Sequence, residues 1–432
     1  MLAQTLMGLV DTLFMGWVST AAQGAVGLGN IVVWTFSSLF VGTLTVVNTY
    51  VAQHHGAVEY RQCGAIAWQG IWLSFLFSIA VMAAAGYLPE LVQVFASPPA
   101  VESITIGYAK IRTLGLPLAF LDTTLTSFMR GIGDTRTPMK VAVATVLINI
   151  PLNYWLIFGG FGIAPMGPNG AAWATVISLG LGALVLLALF WSPSLRNIYS
   201  TAQPRVRGTQ LLSLLKVGAP IGLAWLLEMA TWSIFTVVVS RFGEVSLAAH
   251  NIALQALHLS FMPGVGMSVA ATTLVGQYLG AGDPDGARRA GAAVFRLTLG
   301  YMVGMAVVFV LGGRFIAGAF SADLEVAHLA YRLFLWAAAF QAFDAMGISS
   351  SGILRGAGDT TWPMIFSVGF AWLVFMPLLW LFGFYYGWGV EGTWASATVY
   401  IMGLGASLFI RVRRGRWLSR SLLKEDPNGV SA

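Results

Sequence analysis

RGIGDTRTPM (residues 130–139) and RGAGDTTWPM (residues 355–364) agree at seven of ten positions and lie 225 residues apart in a chain of 432. A decapeptide written twice, about half a chain apart, points to an internal repeat, and other segments extend it. VAQHHGA from Val51 parallels VGQYLGA from Val275, and GLGNIVV from Gly27 parallels AAHNIAL from Ala248, at offsets of 221 to 225 throughout. Each decapeptide reads as a Gly-rich turn closed by proline, suited to a tight connection between helices.

The medium of those helices follows from composition. The chain is 57% hydrophobic and 9% charged, against about 25% charged in ordinary soluble domains. Its mean hydropathy is +0.77. Apolar runs such as AIAWQGIWLSFLFSIAVMAAAGY from Ala65 and GAAVFRLTLGYMVGMAVVFVLGG from Gly291 recur from end to end, and about 20 such residues span a bilayer as a helix. A β-barrel would instead show roughly 10-residue alternating segments. The fold class is an all-α membrane protein of about twelve spans, centred near residues 10, 40, 74, 118, 149, 180, 226, 263, 300, 340, 374 and 400. The offsets make it two six-helix repeats in parallel topology, an architecture that transporters use with sites near the midplane.

Orientation follows from Lys and Arg. Eighteen of the 23 lie after even-numbered spans or in the tail, and the remaining five are Lys110, Arg112, Arg241, Arg314 and Arg332. Cytoplasmic loops are enriched in these residues, so even loops and the C-terminus are expected in the cytoplasm of a plasma-membrane (bacterial inner-membrane) protein. The net charge of +6 is then topogenic and implies no nucleic acid. The polar stretch after the sixth span divides the chain into an N-terminal lobe (1–191), a cytoplasmic linker (192–211), a C-terminal lobe (212–411) and a basic cytoplasmic tail (412–432). The first span has no counterpart of Lys216 and Pro220. It is expected to be shortened or to begin upstream, and without a basic n-region it does not read as a signal peptide.

Several chemistries lack their residues. The single cysteine, Cys63, excludes an internal disulfide and makes a cysteine metal site implausible. GxxxxGK[ST], GxGxxG and HExxH are absent, so the expectation is no ATP-driven step, no cofactor and no enzyme. His54 and His55 are expected in a solvated loop.

Carboxylates inside spans cost about 2.5–3.5 kcal/mol each on insertion scales and mark function. Four are expected there: Asp11, Asp122, Glu228 and Asp344. Asp11 aligns with Trp232, Glu228 with Met7 and Asp344 with Ala119, so the scaffold is duplicated and these acids are not. Asn149 and Asn153 lie four apart on one helix face around Pro151, which should kink the helix; Thr175 lies in the next span. With Asp11 they make an all-oxygen set for Na⁺ or, at the carboxylate, a proton. Interhelical hydrogen bonding is the alternative for the asparagines. Glu228 and Asp344, amid aromatics and Met, suit a lipophilic organic cation by charge and cation–π contact. Asp122, two turns before Arg130, reads as solvated or paired.

These segments resemble the multidrug and toxic compound extrusion (MATE) family across nearly the whole chain. The resemblance rests on GLVDTLFMG, VAQHHGA and VGQYLGAGD, the paired RGxGDT motifs, NIPLNYWLIFG, GPNGAAWATVIS and FQAFDAMGISSSGILRGAGDT. It implies two six-helix lobes facing a central cavity and a secondary active antiporter, monomeric in the lipid bilayer, that exports small organic cations and drugs in exchange for Na⁺ or H⁺. By position it assigns Asp11, Asn149, Asn153 and Thr175 to the ion or proton site, and Glu228 and Asp344 to the substrate or a second ion. Some members carry aspartate where this chain has Asn153, and NorM-type members carry tyrosine in place of Phe340. A lipid-linked saccharide flippase of the same superfamily is the alternative function; several cavity arginines would be expected there.

Overall fold

The computed structural model describes residues 2–93, 98–160, 162, 164–420 and 422–425. Among them the elements are helical: α1 Leu2–Val18, α2 Thr20–Leu44, α3 Val46–Gly56, α4 Tyr60–Ala84, α5 Leu88–Gln93, α6 Pro99–Leu114, α7 Leu116–Gly131, α8 Arg136–Phe158, α9 Pro168–Phe190, α10 Pro193–Tyr199, α11 Gly208–Ser240, α12 Glu244–Gly280, α13 Pro284–Phe320, α14 Leu324–Gly356, α15 Thr361–Gly369, α16 Met376–Trp380 and α17 Gly389–Arg413. Nine helical stretches are long and apolar enough to cross a membrane, and α6 with α7, bent by 45° at their junction, makes a tenth. Gly115 and Pro117 explain that bend, since proline has no N–H for the preceding turn. Two expected spans fall short of the same criterion. α1 has 17 described residues, and α14, although 33 residues long, carries Gln341, Asp344 and Ser349–Ser351.

The chain forms two compact units, Met1–Gly222 and Leu223–Ala432. The division falls inside α11 rather than in 192–211, because the linker is ordered and packs on the first unit. Trp68 Nε1 donates to the Thr201 carbonyl at 2.8 Å. Gln69 donates to the Arg205 carbonyl at 2.8 Å and accepts from the Arg207 N–H at 2.9 Å. The first half of α11 belongs there as well. Its Gly218-x-x-x-Gly222 lies against Thr43 and Gly42 of α2, and a Cβ on Gly42 would sit 2.8 Å from the Gly222 Cα. Small residues four apart permit such close approach in membranes.

The repeated decapeptide now has a physical explanation. Gly131 and Gly356 end α7 and α14 at helix crossings. A Cβ on Gly131 would come within 2.7 Å of the Val51 side chain, and one on Gly356 within 2.7 Å of the Thr272 carbonyl. Gly133 (φ 89°) and Gly358 (φ 80°) take the left-handed conformation. Their N–H groups bond to the carbonyls of Arg130 and Arg355, both at 2.9 Å, and the next N–H groups reach Met129 and Leu354 at 2.9 and 2.8 Å. That is a Schellman cap in each half. Pro138 and Pro363 follow in the first turn of the next helix, where a missing N–H costs nothing. Close crossing, helix stop and helix start are thus written into ten residues, once per unit.

α8 runs helically through Pro151, and the partner span of the second unit contains π turns at Phe370–Phe375 and Leu381–Tyr385 around Pro377. One sequence expectation changes. His54 and His55 lie in the last turn of α3, not in a loop. His54 is buried, with its Nδ1 2.7 Å from the Glu59 carboxylate.

Candidate functional site

In the first unit α1 brings Asp11 to α8 and α9. Asn153 Nδ2 donates to Asp11 Oδ1 at 2.7 Å and to Asn149 Oδ1 at 2.9 Å. Thr175 Oγ1 lies 3.1 Å from Asp11 Oδ2 and also 3.1 Å from the Ala171 carbonyl. Asp11 is 2% exposed, Thr175 3%, and the two asparagines 0%. The four residues named from the sequence therefore form one buried cluster. It is not fully satisfied: Asn149 Nδ2 and Asn153 Oδ1 are buried without partners. A buried acceptor left unpaired is costly, so this cluster keeps capacity for one more donor or a cation.

α6 supplies two neighbours that the sequence reading did not single out. Arg112 is close enough to interact with the Asp11 charge, and its Nε is buried without a partner. One turn earlier, Tyr108 is buried and donates to Asn30 Oδ1 at 2.9 Å. Tyr108 lies within electrostatic reach of both Arg112 and Asp11. The available signal was Arg112 itself, a basic residue away from the basic loops and on the same helix face as Tyr108.

In the second unit Glu228 on α11 and Asp344 on α14 lie within interaction range of each other. Trp232, one turn along α11, donates to Glu228, and Arg355 interacts with the same carboxylate. Arg355 is the first residue of the second decapeptide, read from the sequence only as part of a turn, and from α14 its charge acts on a carboxylate of α11. Tyr400 lies beside both acids and bonds to Ser367. Phe340 is buried in the aromatic core of this unit with Phe235, Phe375 and Trp394. In the first unit the decapeptide arginine, Arg130, likewise lies within electrostatic range of an intraspan acid, Asp122. Asp122 is not part of the Asp11 cluster.

A helical membrane protein of two repeats, each holding buried carboxylates among hydroxyls and amides, has the build of a secondary transporter. Comparison with known proteins gives the family. The MatE family model matches residues 1–155 and 220–381. The chain is 33% identical to the multidrug resistance protein PmpM of Pseudomonas aeruginosa, over all of this chain and 92% of the relative. It is 32% identical to the probable multidrug resistance protein NorM of Xylella fastidiosa, over 98% of this chain and 90% of the relative. An outward-facing MATE multidrug resistance transporter superposes with a TM-score of 0.89 at 19% identity, covering 97% of this chain and 93% of that one. The chain belongs to the MATE family and is a multidrug efflux transporter.

Proposed function

We propose that the chain is a secondary active antiporter that exports organic cations in exchange for an inward-moving H⁺ or Na⁺. The observation that carries this is the buried Asp11, whose two oxygens are met by Asn153 and Thr175 while Asn153 Oδ1 stands open beside them. The proton is the better fit. With Asn153 in place of a second acid, the cluster has one carboxylate, and the Arg112 charge already acts on it. Na⁺ would find about one negative charge, partly offset, and few free oxygens. One charge moving inward at 100 mV supplies about 2.3 kcal/mol.

Glu228 and Asp344 take the organic cation in this reading. Two ionised carboxylates in apolar surroundings repel, and a cation between them, flanked by the Trp232 ring, relieves that repulsion. Ion binding at Asp11 would change how α1 sits on α8 and α9, and so drive release of the drug. The protein works without a cofactor and forms no covalent intermediate. The basic loops and the C-terminus face the cytoplasm, and the functional form is a monomer. The names of PmpM and NorM, both multidrug resistance proteins, support drug export over lipid-linked saccharide flipping. The test is accumulation of a lipophilic cationic dye and of an anionic dye in cells expressing the protein. Lower accumulation of the cation alone is expected; equal effects on both would refute the assigned cargo.

A further inference from the structure

Residues of the ordered linker meet the start of α4 around a feature that transport does not use. Arg61, Arg205 and Arg207 border a cavity of about 240 Å³ together with Gln62, Gln203 and Ser200. Among the described residues no carboxylate lies within 4 Å of these three guanidiniums. The nearest acid in sequence, Glu59, is bonded to His54 at 2.7 Å. Arg207 Nη1 donates to Gln62 Oε1 at 2.9 Å, a neutral partner. The backbone that carries Arg205 and Arg207 is pinned by Gln69 on both sides, so these two side chains start from fixed positions beside α4.

The bias of basic residues toward one membrane face explains their number. It does not explain their convergence on one cavity without a counter-charge. Three like charges around a shared space repel, and an anion with several oxygens offsets that repulsion. Guanidinium groups meet tetrahedral oxyanions through paired N–H donors, while Gln62, Gln203 and Ser200 add neutral donors. The place also suits a lipid headgroup. The cavity lies where α4 begins, at the end of a span, and Trp191, Ile198 and Val206 are exposed apolar side chains in and beside the linker. Basic pockets at such positions bind anionic headgroups.

We propose that Arg61, Arg205 and Arg207 form a phosphate-binding site, filled by the headgroup phosphate of an anionic phospholipid or by a soluble phosphate. The site is separate from the ion and drug residues, so its test does not depend on the transport reading.

Native mass spectrometry of the full chain, released from micelles of phosphatidylcholine doped with phosphatidylglycerol, counts retained lipid. A second arm titrates inorganic phosphate into the protein in phosphatidylcholine alone and follows its melting temperature. Wild type should retain phosphatidylglycerol selectively if the source is lipid, or melt at a higher temperature with phosphate if it is soluble. The triple variant Arg61→Gln, Arg205→Gln, Arg207→Gln should weaken the responding ligand by on the order of tenfold or more. Arg288→Gln with Arg289→Gln, a basic pair at the start of α13, should leave it unchanged. Should the triple variant fail to insert, the single change Arg205→Gln at an exposed side chain should still weaken binding several-fold. A wild type that neither selects phosphatidylglycerol nor responds to phosphate overturns the site. Arginine variants that bind as wild type do, or an equal loss in the Arg288/Arg289 control, overturn it as well.

Discussion

Asp134 and Asp359 hold the same position in the two decapeptides and take different partners. Asp134 Oδ1 accepts from the backbone N–H groups of Arg136 and Thr137 at 3.1 and 3.0 Å, capping the start of α8. Asp359 is 0% exposed. It pairs with Arg411 at 2.9 Å and Arg420 at 2.9 Å, and Arg411 also lies over the Trp362 ring, 4.8 Å from its centroid. The duplicated turn has been put to local use in one unit and to fastening the end of the chain in the other.

The same isosteric change should therefore have unequal costs. Asn caps a helix about as well as Asp, so Asp134→Asn should change stability by less than about 0.5 kcal/mol. Asp359→Asn leaves Arg411, nearly buried, without its counter-charge, and breaking such a pair costs about 3–5 kcal/mol. Thermal unfolding of the purified variants in one detergent checks this; equal shifts would refute it.

Val58 and Gly282 are repeat partners, 224 positions apart, with φ of 65° and 71°. Both close a Schellman cap, with Glu59 N–H on the His54 carbonyl and Asp283 N–H on that of Tyr278, each at 2.9 Å. The left-handed conformation costs a non-glycine residue about 1–2 kcal/mol, more readily borne by Gly than by a β-branched side chain. Val58→Gly should stabilise the protein by about 1 kcal/mol and Gly282→Val should destabilise it by at least as much. Denaturation midpoints moving the other way would contradict the assigned backbone.

How much of this was legible in the chain depends on the kind of signal. A carboxylate in an apolar run stands out against its neighbours, so Asp11, Glu228 and Asp344 could be found one by one. Asn149 and Asn153 were marked by their helical spacing. Arg355 could be read as part of a turn, but its charge acts on Glu228 from α14 to α11, and distance along the chain holds no record of that. The same is true of Arg112 beside Asp11, which sits on α6 in a stretch whose charges look peripheral. His54 was misplaced because a polar dipeptide reads as loop, while Glu59 in fact satisfies it five residues on.

Glu228→Gln and Asp344→Asn should each weaken equilibrium binding of a fluorescent lipophilic cation, by roughly tenfold or more for the loss of one close charge in apolar surroundings. The double variant should lose more. Unchanged affinity in all three would remove the pair from the drug site and leave the first unit as the candidate for both cargo and ion.

Cysteine introduced at Ser200, with the buried Cys63 first changed to Ala, should be shielded from membrane-impermeant reagents in intact cells and labelled after permeabilisation. Labelling from outside would reverse the proposed orientation.

The claim that Asp11 couples ion entry to drug export is tested most directly in proteoliposomes loaded with a fluorescent lipophilic cation, with a pH or a Na⁺ gradient imposed alone. Wild type should move the dye under the pH gradient. Asp11→Asn, reconstituted in equal amount, should fall to the rate of protein-free vesicles, because the amide keeps the shape of the site and an acceptor for Asn153 but cannot exchange a proton. Wild-type dye movement by Asp11→Asn under the same gradient would contradict the account.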